Sequence, residues 1–124
     1  MPRILSALAA LLGLSGPAMA YQTQNDLQVV ATGNGAFMVQ ASPGMGATRS
    51  WCAAGEYAMR RMNVSTTTLI WRLSEPPRKA GEGVMFSLSS EGAASRSGLL
   101  QLGHDTAGMS AGAARALCGL DKIG

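Results

Sequence analysis

Two short stretches, Leu27 to Ala31 and Phe37 to Ala41, alternate apolar residues with others and flank Gly33-Asn34-Gly35, a pattern that predicts a β-hairpin. A two-residue Asn34-Gly35 turn sets Val29 against Gln40 and mixes the faces. A three-residue loop with Gly35 left-handed sets Leu27 opposite Ala41, Val29 opposite Val39 and Ala31 opposite Phe37. Only the second register keeps one apolar face, so the three-residue loop is expected.

After the turn residues Ser42-Pro43-Gly44-Met45-Gly46 the period changes. From Ser50 to Met62, the residues Trp51, Cys52, Gly55, Ala58, Met59 and Met62 recur at helical spacing, with Arg49, Ala53, Glu56 and Arg60 opposite. Ser50 or Thr48 is the expected N-cap and Asn63 the expected end. Glu56 precedes Arg60 by one turn, the favourable order for an exposed ion pair.

The β-branched and aromatic run from Thr66 to Leu73 predicts a buried strand, with Leu69, Trp71 and Leu73 on one face and Thr68, Ile70 and Arg72 on the other. Ser74 to Gly83, with Pro76-Pro77, reads as an exposed loop. Val84, Phe86 and Leu88 alternate in a half-exposed strand, and Ser89 to Gly98 is a second loop. Leu99 to Leu102 is expected as a short last strand. Ser110 then caps a helix from Ala111 to Cys118 that stops at Gly119, with Ala111, Ala114, Leu117 and Cys118 on one side. The order β-β-α-β-β-β-α predicts an α+β domain on a small, mostly antiparallel sheet.

The N-terminus adds a destination. Arg3, the apolar run Ile4 to Leu14 and Ala18-Met19-Ala20 have the form of a secretory signal over residues 1 to 20, too short to span a bilayer. Cleavage after Ala20 leaves residues 21 to 124 as a single domain for the periplasm or the cell exterior, with no membrane span. Without Arg3, nine basic residues face seven acidic ones, a charge near +2. The basic residues are scattered, which argues against nucleic acid as a partner. Export brings Cys52 and Cys118 into an oxidising compartment, where the pair is expected to form a disulfide joining the two helices. A monomer with an unidentified protein or small-molecule partner is the expectation.

Candidate chemistry changes little. His104, the sole histidine, adjoins Asp105, but no Gly-x-Ser-x-Gly elbow or reactive thiol accompanies them, so they read as loop residues. Glu75, Glu82 and Glu91 fall in loops, and Glu56 reads as a surface residue. Were the chain a small hydrolase, Glu56, His104 and Asp105 would be its candidate groups, two of them close together and one desolvated. Gly44-Met45-Gly46-Ala47-Thr48-Arg49 leads into a helix, where amides favour anions. It lacks the remaining glycine and the Gly-Lys-Thr of a phosphate loop, and reads as a turn. Six methionines remain after the leader, among them Met59 and Met62 on one helix; copper binding through thioethers is the alternative to packing, which is preferred. Trp51 and Trp71 both fall on faces expected to be buried. No cofactor and no catalytic residue is assigned.

Ser50-Trp51-Cys52-Ala53-Ala54-Gly55-Glu56-Tyr57-Ala58, preceded by Phe37-Met38-Val39 and Pro43-Gly44-Met45-Gly46, resembles a group of small exported alphaproteobacterial proteins. That group shares a signal peptide, a strand ending in a Pro-Gly turn, a Trp-Cys-Ala/Gly-Ala-Gly-Asp/Glu-Tyr-Ala helix and a C-terminal helix ending in a second Cys. Ser50 stands where an aromatic residue often does. The resemblance covers most of residues 27 to 118 and implies export and the disulfide, but no activity.

Overall fold

A computed structural model describes residues 20–99 and 105–121. His104, Leu100–Leu102 of the expected last strand and nearly all of the leader lie outside the described residues. The elements are β1 (Tyr21–Gln22), β2 (Gln28–Gly33), β3 (Ala36–Val39), α1 (Ala47–Arg60), β4 (Leu69–Arg72), β5 (Val84–Ser87), β6 (Gly108–Ser110), α2 (Ala111–Ala116) and α3 (Cys118–Asp121). They form an α+β fold on a six-stranded antiparallel sheet of order β1-β2-β3-β5-β4-β6. Because β3 and β4 both run antiparallel to β5, they are parallel to each other, and α1 makes the crossover that this requires.

The hairpin has the expected register, Val29 opposite Val39 and Ala31 opposite Phe37, but reaches it by another route. Asn34 and Gly35 make a two-residue turn with φ of 55° and 77°, and a bulge between Ala31 and Gly33 absorbs the extra residue. Gly33, at φ 104°, is the position where the bulge demands a glycine. The favoured tight turn and the single apolar face are therefore compatible.

The core lies between one sheet face and the helices. Val29, Phe37, Val39, Ile70, Val84 and Phe86 meet Trp51, Ala54, Tyr57 and Ala58 of α1 and Ala111 and Ala114 of α2. The Trp51 ring stands edge-on to Phe86 at 4.8 Å, and Phe37 stacks at a tilt on Tyr57 at the same distance. In β4 the expectation is reversed: Ile70 and Arg72 point into the core, Trp71 is half-buried on the opposite face, and Leu69 is 48% exposed. Alternation favours burying Leu69, Trp71 and Leu73, but the pairing with β5, Arg72 opposite Phe86, turns Ile70 and Arg72 to the core instead, where the Ser74 and Ser97 carbonyls accept from the guanidinium.

Helix α1 begins one turn earlier than expected, at Ala47, with Gly46 as N-cap and no side-chain cap. Ser50 is buried and its hydroxyl donates to the Ala47 carbonyl at 3.0 Å. At the other end Asn63 takes φ 57°, and the Val64 N–H returns to the Ala58 carbonyl, as expected of the helix end. From Ser50 to Ala58 every residue is buried, including Ala53 and Glu56 of the side expected to face solvent. The reason is a second covering layer, α2 and the segment after β1. A Cβ on Gly55 would stand 2.6 Å from the Arg115 backbone nitrogen, so α1 and α2 meet backbone to backbone.

The last strand is β6, beside β4, where Gly108 and Ser110 carry little strand propensity. A Cβ on Gly108 would lie 2.5 Å from the Trp71 ring. Ser110 caps α2 as expected, its hydroxyl accepting from the Ala113 N–H at 3.2 Å. The helix breaks at Leu117 and resumes through Gly119 as α3, so Gly119 is not its stop. Cys52 and Cys118, 66 residues apart, form the disulfide with their Cα atoms 4.9 Å apart.

Candidate functional site

The segment joining β1 to β2 is held by its own bonds. The Leu27 N–H donates to the Thr23 hydroxyl at 3.1 Å, and Asp26 takes φ 63°. This turn lays Gln24 and Asn25 across α1. The Asn25 amide donates to the Arg49 carbonyl at 3.2 Å, and Arg49 Nη2 donates back to the Asn25 carbonyl at 3.1 Å. On the far side of α1 stand Arg115 and α3, the latter attached through Cys118.

Between these walls runs a groove of about 730 Å³. Cys52, Glu56 and Thr48 contribute from α1, Gln24 and Asn25 from one side, and Arg115, Cys118 and Leu120 from the other. Leu120 is 59% exposed. The groove therefore combines amides, guanidinium groups, a hydroxyl and the Glu56 carboxylate with the disulfide and the apolar side chains of Ala47 and Leu120.

Glu56 is not the exposed partner of Arg60. It is 2% exposed, and its carboxylate accepts from the Tyr21 hydroxyl at 2.7 Å (Oε2) and from the Gln24 N–H at 3.0 Å (Oε1). Arg60 is exposed. Burial, and then the bond to Glu56, pushes the Tyr21 phenol above its ordinary pKa. The Arg61 guanidinium lies 5.6 Å from the centre of the Tyr21 ring. Both oxygens of Glu56 are thus occupied in holding the N-terminal segment to α1.

The other acids serve separate contacts. Asp105 accepts from the Ser97 N–H at 3.2 Å and from its hydroxyl at 2.7 Å. The Ser97 carbonyl in turn accepts from Trp51 Nε1 at 2.9 Å and Arg72 Nη1 at 3.1 Å. Glu75 is exposed and accepts from the Ser95 N–H and hydroxyl, which hold its carboxyl below the usual range. Glu82 and Glu91 are exposed. Glu56 and Asp105 thus belong to different hydrogen-bond sets, and His104 lies outside the described residues.

Trp51 is fully buried core, as expected. Met45 is buried, Met59, Met62 and Met109 pack partly against the core, and Met38 opposes Met85 in the sheet. Among the described residues no group of three His, Cys, Asp or Glu side chains is placed to hold a metal ion, and no helix is long and apolar enough to cross a membrane.

Pattern reading overlooked Gln24, Asn25 and Arg115, because only the fold brings these sequence-distant polar residues to one groove. By alternation Arg72 reads only as a residue of β4. An arginine inside an apolar strand is the signal that marked it. No family model, curated protein or solved structure matches the chain.

Proposed function

We propose that this protein is exported and acts, in the periplasm or outside the cell, as a monomeric, non-catalytic binding module. Its ligand, a small polar molecule or a peptide segment, occupies the groove between the Gln24-Asn25 turn, α1 and α3. The observation that carries this reading is the groove itself. Its volume of about 730 Å³ lies within the range of small-molecule sites, and convergent polar groups are set around a rigid, disulfide-joined floor. The commitment of both Glu56 oxygens to structural bonds favours binding over acid–base work at this place. The leader pattern of residues 1 to 20 and the likeness to small exported proteins support export.

The test is a fragment screen by amide NMR. Hits should shift Gln24, Asn25, Thr48 and Arg115 together, and Arg115→Ala should weaken them without changing the rest of the spectrum. Hits that bypass these amides would sink the groove reading. Turnover of an ester, glycoside or peptide substrate that disappears in Asp105→Asn would sink the non-catalytic one. Recovery of the processed chain, shortened by residues 1 to 20, from a periplasmic or culture fraction checks export.

A further inference from the structure

Among the described residues the groove on the Cys52–Cys118 side is lined by three charged ones, Arg49, Glu56 and Arg115. The Glu56 carboxylate is bonded to two uncharged donors, the Tyr21 hydroxyl and the Gln24 N–H. Arg49 donates to the Asn25 carbonyl, which carries no charge either. One negative charge therefore stands against two positive ones, and the lining is one positive charge in excess.

Arg115 is the group left unmatched. Its backbone nitrogen lies where a Cβ on Gly55 would come within 2.6 Å, so the residue stands on the close contact between α1 and α2 and its base is fixed. It is half-buried, yet its guanidinium makes no hydrogen bond or ion pair with any described residue. The Gln24 carboxamide and the Thr48 hydroxyl, which line the same groove, are likewise without a hydrogen bond among the described residues. A half-buried guanidinium offers a fork of donors that fits a carboxylate with two parallel bonds. The apolar part of the lining comes from the disulfide, Ala47 and Leu120. Leu120 and Leu69 are the large hydrophobic side chains left exposed among the described residues, and Leu120 is the one at the groove.

Building on the reading of this groove as the binding site, we infer that its ligand is an amide-bearing carboxylate with an apolar group beside the acid. The carboxylate pairs with Arg115, the apolar group covers Leu120 and the disulfide, and the amide bonds to Gln24 or Thr48. A single excess charge suits a monoanion; a phosphate carries nearly two negative charges and would meet the Glu56 carboxylate in the same groove. An N-acyl amino acid and the C-terminal residue of a peptide share the chemistry required.

The experiment follows the Gln24, Thr48 and Arg115 amides of the folded protein by NMR during titration with acetyl-leucine, with its uncharged analogue acetyl-leucinamide, and with acetyl-glycyl-glycyl-leucine, at constant ionic strength. Acetyl-leucine should shift these amides saturably and bind about tenfold more tightly than acetyl-leucinamide, from which it differs in its charged terminus. A further gain with the longer peptide identifies a peptide end; equal affinity of the two acids identifies a small free acid. Arg115→Gln should bring the acid down to the affinity of the amide, and Arg115→Lys should restore part of the difference. Arg60→Gln, an equal loss of charge at an exposed position, should leave it unchanged. Equal affinity for acid and amide in the wild type, or a preference for the acid that survives Arg115→Gln, would overturn the carboxylate assignment while leaving the groove as a binding site. Absence of a shift with all three probes would overturn it as well, and the fragment screen decides separately whether the groove binds at all.

Discussion

The Tyr21 hydroxyl donates to Oε2 of Glu56 at 2.7 Å, joining the edge strand β1 to the middle of α1 across 35 residues. With the Gln24 N–H on the other oxygen, this contact makes one wall of the groove. Glu56→Ala would leave that N–H and the phenol without their acceptor and should destabilise the protein by about 2–3 kcal/mol, with Tyr21→Phe nearer 1.5 kcal/mol. Urea unfolding measures both. Equal stability of wild type and Glu56→Ala would contradict the bonding described.

The same pair sets an alkaline limit. The folded state holds the Tyr21 proton to a higher pH than the unfolded chain does, so the unfolded chain binds fewer protons in that interval. The contribution is fully present below the ordinary tyrosine pKa near 10 and is lost as pH rises through the folded value. Ultraviolet absorbance should show Tyr21 ionising later than free tyrosine. Tyr21→Phe should flatten this part of the decline in stability above pH 10.

Reduction of Cys52–Cys118 should cost about 4 kcal/mol in the chain-entropy view of a 66-residue loop. Mass spectrometry of the native protein should show two hydrogens fewer than the dithiol. Urea curves with and without reductant give the energy.

Gly55→Ala sets two effects against each other. Alanine is the better helix former by roughly 1 kcal/mol. Its Cβ, however, would fall 2.6 Å from the Arg115 backbone nitrogen and 3.0 Å from the Ala111 carbonyl oxygen, where no flexible side chain can yield. Overpacking of about 1–3 kcal/mol should exceed the propensity gain, with loss of stability seen in urea. A more stable variant would mean that α2 does not approach α1 so closely.

Gly108→Ala tests the sheet face away from the core. The added methyl would overlap the Trp71 ring at 2.5 Å, so the ring must move outward. The outcome should be a loss of about 1–2 kcal/mol and a red shift in the Trp71 part of the fluorescence, while the fully buried Trp51 keeps its blue emission. An unchanged spectrum would count against that packing.

Local pattern carried much of the architecture. Period two marked β2, β3 and β5, period three to four marked α1, and Ser110 marked the start of α2. The single-face argument determined the hairpin register, because slipping by one residue would turn Val29 and Phe37 away from the core. Two cysteines in a chain with an export pattern left one disulfide to expect, and the structure contains it. These features depend on near neighbours or on a pairing with no competitor.

The groove and its residues were decided by tertiary structure. Glu56 lies on the polar side of α1 by spacing, yet it is buried because α2 and the Tyr21–Asn25 segment cover that side, and helical periodicity cannot show a second layer. Arg72 and Trp71 exchanged their expected faces when β4 paired with β5, since loop carbonyls of Ser74 and Ser97 satisfy the buried guanidinium and alternation along one strand cannot show such distant acceptors. The stretch from Ser50 to Ala58, read from the sequence as the helix that carries the disulfide, is the clamp of the fold, and the polar groove lies where distant segments converge on it. Such convergence is a property of long-range packing, which local spacing does not encode.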